Sequence, residues 1–150
     1  MNEPLERAHT LLRKAEHDLI TADCIVGNPV LSDGVCFHAQ QAAEKSLKAL
    51  LAADGVEYPR THDIDRLLNL VEPRFSEFEQ LRDELGPLSG YAVDARYADS
   101  PGAEPNAADA QKALRIARSA YELAQGIIAG REEGTGEQVR LPEGNNTTHD

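Results

Sequence analysis

Apolar residues recur at alternating steps of three and four through residues 5–26, at Leu5, Ala8, Leu12, Ala15, Leu19, Ala22 and Val26. That is the period of an amphipathic helix with one buried stripe. Gly27, Asn28 and Pro29 stop it. A second helix is predicted over residues 35–53, with Leu47, Leu50, Leu51 and several alanines on its packed side and Gly55 as its stop. After a short linker, Thr61 can cap a third helix through Ile64, Leu67, Leu68 and Val71, which Pro73 ends. Ser76 and Glu79 form a capping-box pattern, and Phe78, Leu81, Leu85, Leu88, Ala92 and Ala95 carry a stripe onward. Gly86-Pro87 must break or kink it. A Pro-, Gly- and Ala-rich loop follows over residues 99–105. Asn106 with Asp109 then opens a long helix whose Ala110, Ala113, Leu114, Ala117, Ala120, Tyr121, Ala124, Ile127 and Ile128 form a continuous core face. No strand-like alternation of useful length occurs. The expected fold is all-α: an up-and-down bundle of four to five helices over residues 1–130.

Composition alters this picture at the C-terminus. From Arg131 the chain turns to Gly, Glu, Thr and Asn, which predicts a flexible polar tail over residues 131–150. The tail holds five acids and two bases, a net −3 of the chain's −11. The bundle itself is therefore acidic. Coating of nucleic acid is excluded as a general role, because neutralising a phosphate backbone needs a dense cationic surface. Aromatic residues are 5% of the chain and Trp is absent, so platforms of exposed rings for stacking bases are not expected. No apolar run has membrane-spanning length, and the N-terminus enters a charged amphipathic segment, so the protein is expected to be cytoplasmic with no membrane partner. Cys24 and Cys36 lack C-x-x-C spacing and lie in apolar stretches, which predicts a reduced, buried pair.

Candidate chemistry gathers at four places. Projected at 100° per residue, His38, Gln41, Glu44, Lys45 and Lys48 fall within an arc of about 120° on the second helix. This is a locally basic strip that can hold a phosphate or carboxylate. The structural alternative is a solvated face with a Glu44–Lys48 pair at i,i+4. Gln40 projects into the apolar arc, where its amide must find a partner on a neighbouring helix, on a loop or on a second copy. His62 and Asp63 stand at a helix start; Asp63 fits an electrostatic end-cap, and His62 fits a base, a phosphate donor or an ordinary surface histidine. In Tyr91-Ala92-Val93-Asp94-Ala95-Arg96-Tyr97-Ala98-Asp99, Arg96 can clamp an anion or pair internally with Asp94 or Asp99. Lys112, Arg115 and Arg118 add a short basic ridge. The histidines and cysteines show no metal-ligand spacing, and neither a Gly-rich phosphate loop nor a G-x-S-x-G turn is present. No metal or other cofactor is expected. The candidate anion cleft is His38, Gln41, Lys45, Lys48, His62, Arg96 and Tyr97.

The run Phe37-His38-Ala39-Gln40-Gln41-Ala42-Ala43-Glu44-Lys45-Ser46-Leu47-Lys48-Ala49-Leu50-Leu51 closely resembles the signature helix of the HEPN family, the higher eukaryote and prokaryote nucleotide-binding domain. The first helix, the Pro-x-x-His-Asp-Ile start of the third, Pro59 to Ile64, and the Arg96-Tyr97 turn follow the family order, so the resemblance covers residues 5–128. It implies a helical bundle, commonly dimeric, often paired with a minimal nucleotidyltransferase in a toxin–antitoxin-like system. Many relatives are metal-independent ribonucleases using an Arg-x(4–6)-His motif. Here Arg13 and His17 are separated by three residues, Arg60 and His62 by one, and Arg140 and His149 by eight, so the motif is absent. Ala98 also stands where proline often follows Arg-Tyr in the family. The function expected is that of a nucleotide-binding or accessory subunit, homodimeric, beside a nucleotidyltransferase partner, with RNA not favoured as ligand. The alternatives are a ribonuclease with a rearranged site, pairing Arg96 with His38 or His62, and a purely structural dimerisation module.

Overall fold

The computed structural model describes residues 2–92 and 104–148. Helix α1 (Glu3–Ile25) starts two residues before its apolar stripe because Asn2 caps it, accepting from the Leu5 amide at 3.2 Å. Glu3 and Glu6 in the first turn complement the helix dipole. A 3₁₀ turn, Pro29–Leu31, leads into α2 (Ser32–Ala53), three residues earlier than the apolar pattern indicates. The end of α2 is a complete Schellman motif: the Gly55 amide donates to Ala52 O at 2.9 Å and the Val56 amide to Leu51 O at 2.9 Å. Gly55 takes φ 69°, the left-handed conformation that closing this motif requires.

Helix α3 (Ile64–Val71) is capped by Asp63, whose carboxylate accepts from the Asp65 and Arg66 amides. Thr61 therefore does not cap it. Its hydroxyl instead accepts from the Asp63 amide at 3.0 Å, one turn of chain too early to reach the helix. The expected helix over residues 76–95 is also replaced. The chain runs as 3₁₀ turns at Ser76–Leu81, a single-turn helix α4 (Arg82–Leu85), and further 3₁₀ turns at Gly86–Ala92. Phe75 rather than Ser76 precedes the first turn, and no side chain caps it, so the Ser76–Glu79 box does not form. A 3₁₀ turn repeats every three residues, which satisfies the Phe78–Leu81 and Leu85–Leu88 steps as well as an α-helix does. Helix α5 (Ala107–Thr148) begins with the expected reciprocal cap: the Asn106 amide donates to Asp109 at 3.0 Å and the Asp109 amide to Asn106 at 2.8 Å. Its backbone continues past Arg131, where the composition changes, to Thr148. Ile128 is its last residue in the buried core among the described residues.

Helix α2 occupies the centre, packed against α1, α3, α5 and the Gly86–Ala92 segment. Small residues make this possible. Ala8, Ala15 and Ala22 on α1, Ala39, Ala42 and Ala43 on α2, and Ala113, Ala117 and Ala120 on α5 are all buried, so helix axes approach closely while Leu47, Leu50, Leu51 and Phe78 fill the remaining volume. Being enclosed on several sides, α2 leaves one narrow strip towards solvent, and that strip carries the candidate chemistry. No helix among the described residues is long and apolar enough to cross a membrane. Neither cysteine is in a disulfide, and Cys24 is exposed rather than buried with Cys36, because it lies on the outer side of α1.

Candidate functional site

Two carboxylates organise the exposed strip of α2, and each sits beneath its partners. Asp18 projects from α1 at the edge of the buried stripe. One oxygen is 2.8 Å from His38 Nδ1 and the other accepts from Lys45 Nζ at 2.6 Å. His38 and Lys45 are seven residues apart, two helical turns, so one α1 carboxylate bridges both. Glu44 forms the second centre. Its Oε1 accepts from Gln40 Nε2 at 3.0 Å and lies 3.0 Å from His62 Nδ1, while Oε2 accepts from Lys48 Nζ at 2.8 Å. Gln40 also donates to the His62 carbonyl at 3.2 Å, and its own carbonyl accepts from Gln41 Nε2 at 3.2 Å. The chain between α2 and α3 is thus held to α2 through both the backbone and the ring of His62.

Exposure separates the two layers. The side chains of Asp18 and Glu44 are 12% and 4% exposed, whereas Lys45, His38 and His62 are 27%, 30% and 69% exposed. The carboxylates lie underneath and Lys45, His38 and His62 face outward, while Lys48, at 15%, is nearly as buried as Asp18. The strip is consequently not an unopposed basic surface, since Asp18 and Glu44 balance Lys45 and Lys48 in charge. The Glu44–Lys48 pair expected of a solvated face does form, but around a buried carboxylate. Both histidines use Nδ1 towards a carboxylate, which leaves Nε2 outside these contacts. Among the described residues no three His, Cys, Asp or Glu side chains converge as a metal-ligand set.

Of the seven candidate residues, the structure brings His38, Gln41, Lys45, Lys48 and His62 together on one surface. Arg96 and Tyr97, with Asp94 and Asp99, lie outside the described residues. In the basic ridge of α5, Arg118 is committed to both oxygens of Asp23 on α1 at 2.7 Å. Gln40 occupies the buried position its projection predicts, and its partners are Glu44, Gln41 and the loop carbonyl of His62. Asp18 has no local sequence signal beyond its place at the edge of an apolar stripe, because its partners are 20 and 27 residues away.

A family model for the HEPN domain matches residues 8–127. The chain belongs to the HEPN family. Two crystal structures share its HEPN fold. TT1696 from Thermus thermophilus is 32% identical, with a TM-score of 0.68 over 84% of this chain and 98% of that one. An archaeal HEPN homologue is 28% identical, with a TM-score of 0.65 over 81% of this chain and 98% of that one. A comparison with curated proteins gives no match. The α2 strip with its two carboxylate centres lies wholly within the matched HEPN region.

Proposed function

We propose that this HEPN protein is a nucleotide-binding accessory subunit that works as a homodimer beside a minimal nucleotidyltransferase in a toxin–antitoxin-like pair. The observation that carries the nucleotide half is the outward donor layer of α2. Lys45 spends one N–H on a buried carboxylate and keeps two for a phosphate, with the partly buried Lys48 adding positive charge behind it and His38 and His62 beside them. The carboxylates beneath fix these side chains before a ligand arrives, which lowers the entropy cost of binding. On this reading an acidic chain holds an anion through the local orientation of its donors rather than through its net charge. Calorimetric titration of the folded protein with ATP and GTP tests this. Saturable heat that weakens in Lys45→Ala supports it, and no heat at millimolar ligand refutes it. Co-purification with a nucleotidyltransferase tests the partner half, and light scattering tests the homodimer.

A second reading, a metal-independent ribonuclease with a non-standard site, is favoured by the Asp18–His38 pair. A carboxylate on Nδ1 orients an imidazole so that Nε2 can take or give a proton. Incubation with single-stranded and structured RNA in EDTA separates the two. Cleavage lost in His38→Ala supports the enzyme, and intact RNA discards it.

A further inference from the structure

Ile128 is the last residue of α5 in the buried core among the described residues, yet the helix continues. Arg131 and Glu132 follow it by three and four positions, so they extend the core stripe by one turn with charge in place of hydrocarbon. Each reaches a different helix. The Arg131 guanidinium pairs with Asp54 at the end of α2, and its Cζ stands 5.0 Å from the centre of the buried Phe75 ring. Arg74 lies 3.4 Å from the other Asp54 oxygen. Glu132 is 3.0 Å from His9 Nε2 on α1.

Asp54 is the informative member. It is the C-cap of α2, at the negative pole of the helix dipole, where a carboxylate is unfavourable, and the last turn of α2 has no basic residue to offset it. The positive charge comes instead from Arg74 and from α5. The Asp54 side chain is only 15% exposed, so its attraction for Arg131 is stronger than that of a surface pair. The His9–Glu132 contact, by contrast, is solvated on both sides and adds less.

We propose that Arg131 and Glu132 form an electrostatic clasp that docks α5 on α2 and α1 one turn beyond its apolar face, and that ionic strength releases the clasp while the bundle stays folded. Closed, the turn after Ile128 is fixed to the bundle. Open, α5 is held only as far as Ile128. Salt screens the ion pairs but leaves the apolar packing of Ala117, Ala120, Ala124 and Ile128 in place, so two parts of one helix respond differently to the same change. Arg131 and Glu132 lie beyond residue 127, where the HEPN region ends, so the switch belongs to the chain's C-terminal extension.

Amide hydrogen exchange of the full chain, read by NMR at about 10 mM and about 1 M sodium chloride and corrected for intrinsic rates, tests the clasp. Between these conditions the screening length falls from about 30 Å to about 3 Å. Exchange at residues 130–132 is expected to accelerate by about three- to tenfold at high salt, the range of a few exposed ion pairs with a cation–π contact, while residues 113–124 stay unchanged. Asp54→Asn removes the charge and keeps a side chain tolerated at a helix end. Its residues 130–132 should exchange at the fast rate already at low salt and respond little further. Arg74→Ala spares the Arg131 contact and should keep the salt response. Salt-independent exchange at residues 130–132 of the wild type, or an undiminished salt response in Asp54→Asn, overturns the proposal. Equal acceleration along the whole of α5 also overturns it, because salt would then be loosening the bundle and not the clasp.

Discussion

Glu44→Ala is the substitution that probes the architecture of the α2 strip most severely. The carboxylate is 4% exposed and has three side-chain partners, Gln40, Lys48 and His62. Their losses differ. His62 is 69% exposed and re-solvates at little cost. Gln40 Nε2 keeps its bond to the His62 carbonyl, so it loses one of two contacts. Lys48, at 15% exposure, is left as a partly buried ammonium with no counter-charge and carries most of the penalty. A stranded buried polar group costs about 1–3 kcal/mol, and breaking a fully buried ion pair about 3–5 kcal/mol. Reducing the latter because Lys48 can bend towards solvent gives about 2–4 kcal/mol. At about 2–4 °C per kcal/mol for a chain of this size, Tm should fall by about 5–15 °C. Urea unfolding with linear extrapolation measures the free energy directly. His62→Ala, measured alongside, should cost less than about 1 kcal/mol because its ring is mostly solvated. A Glu44→Ala loss no larger than that of His62→Ala would refute the placement of Glu44 beneath its donors.

Four further substitutions test other parts of the account. Gly55→Ala forces a side chain into φ 69° at the Schellman turn and should cost about 1–2 kcal/mol by urea unfolding, whereas Gly27→Ala, with open space around it, should be nearly silent. Leu47→Ala empties a fully buried position where α2 meets its neighbours and should cost about 2–5 kcal/mol in the same assay. The Tyr121 phenol is held above its ordinary 10.0, first by burial and then by the Glu16 carboxylate. A raised folded value means this contribution is complete below the unfolded value and is lost as pH rises through the folded one. Stability of the wild type should therefore decline more steeply above pH 10 than that of Tyr121→Phe, and parallel pH profiles of thermal unfolding would contradict this.

The helices that bury a stripe against several neighbours were legible because their periodicity runs over many turns, and α1, α2 and α5 lie where the apolar steps put them. The segment from Ser76 to Ala92 was not, since steps of three fit 3₁₀ and α geometry alike and Gly86-Pro87 excludes a straight helix without choosing between the remaining forms. At the site, helical projection placed His38, Gln41, Lys45 and Lys48 on one strip and Gln40 in the core, both local consequences of a helix's period. What projection could not supply was depth. Glu44 projects at the edge of the same strip, yet it is buried and bonded to the ring of His62. Asp18 comes from a different helix, so a basic strip in the sequence becomes a charge-balanced one in the fold.

The donor layer as a phosphate site is the central claim, and side-chain and backbone ¹H–¹⁵N NMR of the full chain during titration with GDP tests it most directly. The account predicts that shifts concentrate on the imidazoles of His38 and His62 and on the amides of α2 from His38 to Lys48. Saturating shifts elsewhere, with these resonances unmoved, would contradict it.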